Sequence, residues 1–442
     1  MLPAARSLPS GLGGGKLRGD LRGLLAEIGS VDFDLGRLDR LRPLMKAALF
    51  GAPDAEIWEQ AYRAVAELEL STDATPERTP WRCHSSSFAY STEFLAGVCR
   101  VLTREVGPVY VGVPLFDEAY FGRVAGLDAA ADAVFARCAQ GPDPLFAAGW
   151  AGWPADADPV AVQAWLSDLC GKPAAPTEGS GLTPAARTVA QPHDPFPGPS
   201  RKRGQDACIV ETAAAVFGPC SRSRTLVCGV LNADPDARGC RTWLGLATYA
   251  RSVLATQIRR RFVLGFSLCG PLMRTWAFDR MGAVASEEFD VNEDGRRLVA
   301  ALLAFLCLDE AQLGLDPTVV IAADGQEAVE IHLGGRMERL VVDEVLVRRR
   351  CVAGRATTCW RVHLDGDPRT QLVVKDSWQG ADRVWEEGEL LKEAAEKGVV
   401  NVARYYHHET VLVGGRADEI QDGVRGGWTS MRREITGSAG RG

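Results

Sequence analysis

Leu21, Leu24, Leu25 and Ile28 recur at the i, i+3, i+4, i+7 spacing of one helix face, and residues 55–70 repeat that period after Asp54 as a cap. A helix-rich region is therefore predicted over 21–170. Within it, VGPVYVGVPLF and AGWAGWP read as buried turns or strands. Further along, the short apolar run at 224–231 predicts a strand and TWLGLATYARSVLATQ (242–257) an amphipathic helix. The runs 261–269, 272–278 and 283–289 predict three strands, with turns at Gly270-Pro271 and Arg280-Met281-Gly282. Asn292 or Asp294 caps a second helix with Leu298, Leu302, Leu303 and Leu306 on one face. Together these predict an α/β domain over 224–316.

A third pattern starts at 318. Strands are predicted at 319–322 and 328–333 around Asp324-Gly325, at 341–349, and at 358–364 and 371–375 around Asp365-Gly366-Asp367. A charged helix at 383–397 ends on Gly398, and apolar runs at 400–406 and 410–413 predict two further strands. An antiparallel sheet with one inserted helix is the expectation for 318–413. The fold class is thus α+β and multi-domain: a helical N-terminal region, an α/β middle domain and a C-terminal antiparallel sheet.

Composition marks the joints between these regions. Residues 1–20 are rich in Gly, Ser and Pro and are expected to be disordered, as is the polar stretch 414–442. The Pro-rich segment 171–206 holds few large apolar residues and reads as a linker, with Arg201-Lys202-Arg203 as a solvated basic kink. At 46% hydrophobic over 442 residues the chain can build several cores. A formal net charge of −7 leaves no electrostatic footprint for nucleic acid, and no apolar run could span a bilayer. Neither a nucleic acid nor a membrane is an expected partner. The 12 cysteines include no C-x-x-C pair, and the N-terminus has no secretory core, which points to reduced thiols and an intracellular protein, cytoplasmic or nuclear.

Chemistry concentrates in the last region. Val373-Val374-Lys375 ends an apolar strand on a cation, GRATTCWR (354–361) lies upstream where a hairpin turn could cover phosphates, and Glu386, Glu387 and Glu389 open the following helix. Phosphoryl transfer needs a cation on the nucleotide phosphates, and a helix carboxylate can keep that ammonium charged and aimed.

These residues resemble the N-lobe of a protein kinase, and in particular the fungal-type protein kinase family. The phrases that carry the likeness are GRATTCWR, LVVKDSWQ (372–379), EEGELLKEAAEKGVVNVARYYHHE (386–409) and RRFVLGFSLCGPLMRTWAFDRMGAVASEEFDVNEDG (260–295). The resemblance implies ATP-dependent phosphorylation of protein Ser/Thr, with ATP and Mg2+ bound and a protein substrate as partner. It makes Lys375 the phosphate-clamping lysine, Glu387 its helix partner with Glu389 as the alternative, and Gly354 the first glycine of the phosphate loop. Ala356 and Cys359 stand where that loop has its other glycines, and a methyl at 356 limits backbone approach to a phosphate.

No H-R-D and no D-F-G triplet occurs in the chain, so the kinase general base and metal aspartate are missing, and neither a catalytic nor a metal-binding residue is assigned. The expectation is a kinase without its C-lobe, truncated and inactive as written. The alternative is a non-catalytic pseudokinase or scaffold that self-associates or docks a partner through exposed N-lobe surface. The strand–helix–strand order of the middle domain also resembles restriction-endonuclease-like cores, but Gly229-Val230-Leu231-Asn232 lacks the E-x-K that such chemistry needs. Asp279-Arg280 and Arg259–Arg261 read as structural ion pairs, and His407-His408 as neighbours with one ring turned in and one out.

Overall fold

The computed structural model describes residues 102–427 except 108, 172–181, 183, 193–203, 213–220, 237–239, 323–324 and 380–385. The helices expected before residue 101, the N-terminal 20 residues, the basic triplet and Asp324 lie outside the described residues.

Strands β1 (Val109–Val113), β2 (Arg187–Ala190), β3 (Gly204–Glu211), β4 (Val227–Asn232), β5 (Val263–Cys269), β6 (Leu272–Asp279), β7 (Gly282–Ser286) and β8 (Phe289–Asp290) form one eight-stranded sheet. Its order is β1-β7-β6-β5-β4-β3-β2, with β8 on β6. Between them run helices α1 (Phe116–Phe121), α2 (Leu127–Cys138), α3 (Pro159–Gly171), α4 (Cys240–Thr256) and α5 (Gly295–Cys307). The central strands are apolar without alternation because both faces are covered. On β4, Val227 and Leu231 join the core that holds Phe121 of α1 and Phe305 of α5, whereas Cys228 and Val230 face Leu246, Tyr249 and Val253 of α4. Gly229 makes room for the Phe266 ring, which a Cβ there would approach to 2.5 Å. Of the two caps proposed for α5, Asp294 serves, accepting from the Arg297 amide at 3.1 Å.

Three expectations about domain boundaries need correction. The linker at 171–206 holds β2 and the start of β3, which pair antiparallel at the sheet edge. Arg187 of β2 is buried and donates to the Phe305 and Leu308 carbonyls at 2.8 and 2.9 Å, satisfying the open C-terminus of α5. The division between 21–170 and 224–316 does not hold either, since β1 runs parallel to β7 within the same sheet. Residues 414–427 are no tail: Ile420 and Val424 are buried in the core, and Arg425 grips Asp279 through two bonds of 2.7 Å.

The second sheet has five antiparallel strands, β9 (Val319–Ile321), β10 (Glu327–Leu333), β11 (Arg336–Arg348), β12 (Thr358–Leu364) and β13 (Asp367–Asp376), in the order β13-β12-β11-β10-β9. One face carries a small core of Val319, Val329, Ile331, Leu340, Val342, Trp360 and Val362. Helix α6 (Glu387–Glu396) follows β13 and turns out through Gly398 at φ +66°. The strand expected at 400–406 is absent, and that at 410–413 shrinks to β14 (Leu412–Val413), paired only with β15 (Arg416–Ala417). Side chains secure the intervening segment instead: Tyr406 donates to Glu338 at 3.2 Å, and Glu409 accepts the His332 amide at 2.9 Å. No helix among the described residues is long and apolar enough to cross a membrane.

Candidate functional site

Period-two alternation on β13 sends Leu372 and Val374 into the small core and leaves Val373 and Lys375 exposed. Lys375 stands opposite Cys359 of β12 in the ladder. Its ammonium pairs with the Glu387 carboxylate in the first turn of α6, where the helix dipole also favours an anion. Both side chains are about two-fifths exposed, so the pair orients more than it stabilises. Glu389, the alternative partner, lies 3.0 Å from His408 Nε2 instead.

A second cation reaches Glu387, Arg355, whose Nη2 lies 3.5 Å from Oε2. Sequence reasoning passed over Arg355; the signal available was a guanidinium one residue after the loop glycine. The Arg355 carbonyl accepts the Trp378 amide at 2.9 Å, joining the hairpin loop to the chain after Lys375.

The loop between β11 and β12 (349–357) contains Gly354 at φ +104° and Ala356 at φ +44°. The left-handed region costs a Cβ-bearing residue about 1–2 kcal/mol. Ala356 therefore keeps the bend a glycine would take, at a conformational penalty. The loop's base is fastened to the first sheet. Val352 is fully buried against the α4 side of that sheet, and its amide donates to Glu105 Oε1 at 2.7 Å. Arg280 Nη1 donates to the Cys351 and Val352 carbonyls at 2.7 and 3.1 Å, and the Gly354 amide donates to the Arg280 carbonyl at 2.8 Å. Burial draws the Arg280 guanidinium below the ordinary arginine range. Asp376, one residue past Lys375, is pushed up to about 6 by burial and then by Asp316, with Arg280 opposing.

The other candidates are structural. Arg260 is buried and donates to the Thr225 and Leu226 carbonyls at 2.8 Å, Arg261 pairs with Asp418 at 2.6 Å, and Arg259 with Glu310 at 2.7 Å. Asn232, at the end of the strand compared with a nuclease core, turns the chain by accepting the Asp234 amide at 3.0 Å through its side chain, and its carbonyl accepts the Gly270 amide at 2.7 Å. His407 pairs with Glu409 at 3.0 Å, apart from the His408 contacts. Among the described residues no group of three His, Cys, Asp or Glu side chains could hold a metal ion.

A family model described as fungal protein kinase matches residues 206–439, more than half of the chain. No curated protein and no solved structure matches. The chain belongs to the fungal protein kinase family.

Proposed function

We propose that the β12–β13–α6 segment is the nucleotide-clamping half of a protein kinase site. In this reading Lys375 neutralises the ATP phosphates, Glu387 aims it, and the 349–357 loop borders the nucleotide. The observation that carries the reading is the Lys375–Glu387 pair between a strand end and the first turn of the next helix. ATP would supply the phosphoryl group, and any magnesium would arrive with its phosphates. The parent activity inferred from the family is phosphorylation of protein Ser/Thr. The present residues support binding and orientation, because no H-R-D or D-F-G triplet lies within them.

Titration calorimetry with Mg-ATP tests this. Binding in the micromolar range is expected, weakened about tenfold or more in Lys375→Ala, the scale of one charge-assisted contact. No heat at millimolar ATP, or equal affinity in the variant, would overturn it. A second reading, a non-catalytic interaction module, draws on one specific observation: the Gly354 amide is spent on the Arg280 carbonyl rather than free for a phosphate. Failure of the calorimetric test favours that module.

A further inference from the structure

Helix α6 buries none of its residues, so polar contacts near its start hold it in place. One of them is built around His408. The imidazole lies between Glu389 of the first turn, with Oε1 3.0 Å from Nε2, and the Tyr405 hydroxyl, 3.0 Å from Nδ1. The Tyr405 and His408 rings also meet edge to face at 5.7 Å. Residue 388, between Glu387 and Glu389, is glycine, and a Cβ there would fall 2.5 Å from the His408 Cβ. Glycine inside a helix costs about 1 kcal/mol against alanine. Here that cost is offset by closeness, because the imidazole packs where the Gly388 side chain would be.

We infer that His408 is a positioning residue for the candidate site: by clamping the first turn of α6 through Glu389 and the face of Gly388, it sets Glu387 against Lys375. Tyr405 fixes the ring orientation by engaging Nδ1, which leaves Nε2 directed at Glu389. The inference rests on Lys375–Glu387 being the working pair of the proposed nucleotide site, but the clamp itself can be tested without nucleotide.

The experiment is acetic anhydride labelling of the full 442-residue chain at one pH, read by peptide mass spectrometry as Lys375 acylation relative to the exposed Lys392. An amine held by a carboxylate acylates more slowly than a free one. His408→Phe, which fills the space without a polar contact, should speed Lys375 labelling about threefold, the scale of a partly exposed ion pair. His408→Gln, whose amide N–H can reach the position of Nε2, should restore most of the wild-type rate. Gly388→Ala, better for an isolated helix, should speed labelling like His408→Phe because it displaces the ring. Should His408→Phe fail to fold, Gly388→Ala carries the test. Unchanged labelling in both, or a His408→Gln rate no slower than His408→Phe, overturns the clamp and leaves the ring a space filler. Nucleotide affinity does not enter this readout, so a chain that binds no ATP can still show the clamp, and loss of the clamp leaves the calorimetric question standing.

Discussion

Asp376 is held in a place that disfavours its charge. It is half-buried and largely desolvated at the end of β13, with Asp316 and Asp418 adding like charge and Arg280 compensating only in part. Its pKa stands at about 6, well above the ordinary aspartate value of 3.8. Each tenfold change in the acid constant corresponds to about 1.4 kcal/mol, so the ionised carboxylate disfavours the folded chain by about 3 kcal/mol at neutral pH. The sign follows from linkage: a raised carboxylate pKa gives stability that is complete below about pH 4 and is lost as pH rises through about 6. Asp376→Asn keeps the shape and removes the charge. Urea unfolding of both proteins between about pH 4 and 7.5 should show almost no difference at the acid end and a variant about 3 kcal/mol more stable at the neutral end. Taking the difference between the two proteins cancels Asp117, a raised carboxylate that does not act on Asp376. A difference that stays flat with pH, or a variant less stable at neutral pH, would show that Arg280 holds Asp376 as a true ion partner and would refute the argument.

Three other substitutions probe the frame around the site. Ala356→Gly should relieve the left-handed backbone at φ +44° and raise the unfolding midpoint, with a net gain of about 1 kcal/mol after the extra freedom of glycine in the unfolded chain. Asp279→Asn leaves the buried Arg425 guanidinium short of its counter-charge and should cost about 3–5 kcal/mol by urea unfolding. Gly229→Ala should cost about 1–3 kcal/mol, seen as a lower melting temperature, because the new methyl meets the Phe266 ring at 2.5 Å.

Where local pattern and burial coincide, the chain was easy to read. β4 to β7, α4 and α5 sit close to their expected places because each strand is apolar, each helix is amphipathic, and turns such as Gly270-Pro271 separate them. β2 carried no comparable signal, and β1, read within VGPVYVGVPLF as a buried turn or strand, gave no hint of its partner. Both lie at the sheet edges, and β1 finds its parallel partner β7 more than 160 residues away, a pairing that no local window contains. Proline content disguised the 171–206 segment, although Arg187, buried under the end of α5, was the anomalous residue there. Apolar spacing at 400–406 imitated a strand, but Tyr405 and Tyr406 bond through their side chains and the backbone pairs with nothing regular. At the candidate site, the kinase resemblance put Glu387 ahead of Glu389 as the partner of Lys375, and Glu387 does meet Lys375. Arg355 was passed over although it directly follows the loop glycine, and the fastening of Val352 was invisible, since it depends on how the loop meets the first sheet.

The depth at which Val352 sits has a practical corollary for anyone cloning pieces of this chain. The family match opens at residue 206, two residues into β3. Cutting there discards β1, β2 and the helices whose Phe121 lies edge-on to Phe305 at 5.4 Å, baring one whole side of the first sheet. It also discards Glu105, the acceptor for the Val352 amide, so the hairpin would lose its mooring along with its cover. A truncated protein of that kind should be recovered as aggregate, whereas expression from about residue 88 keeps Glu105 and the cover on both faces of the first sheet. The stretch by which relatives are recognised and the stretch that folds together are, in this protein, different lengths of chain.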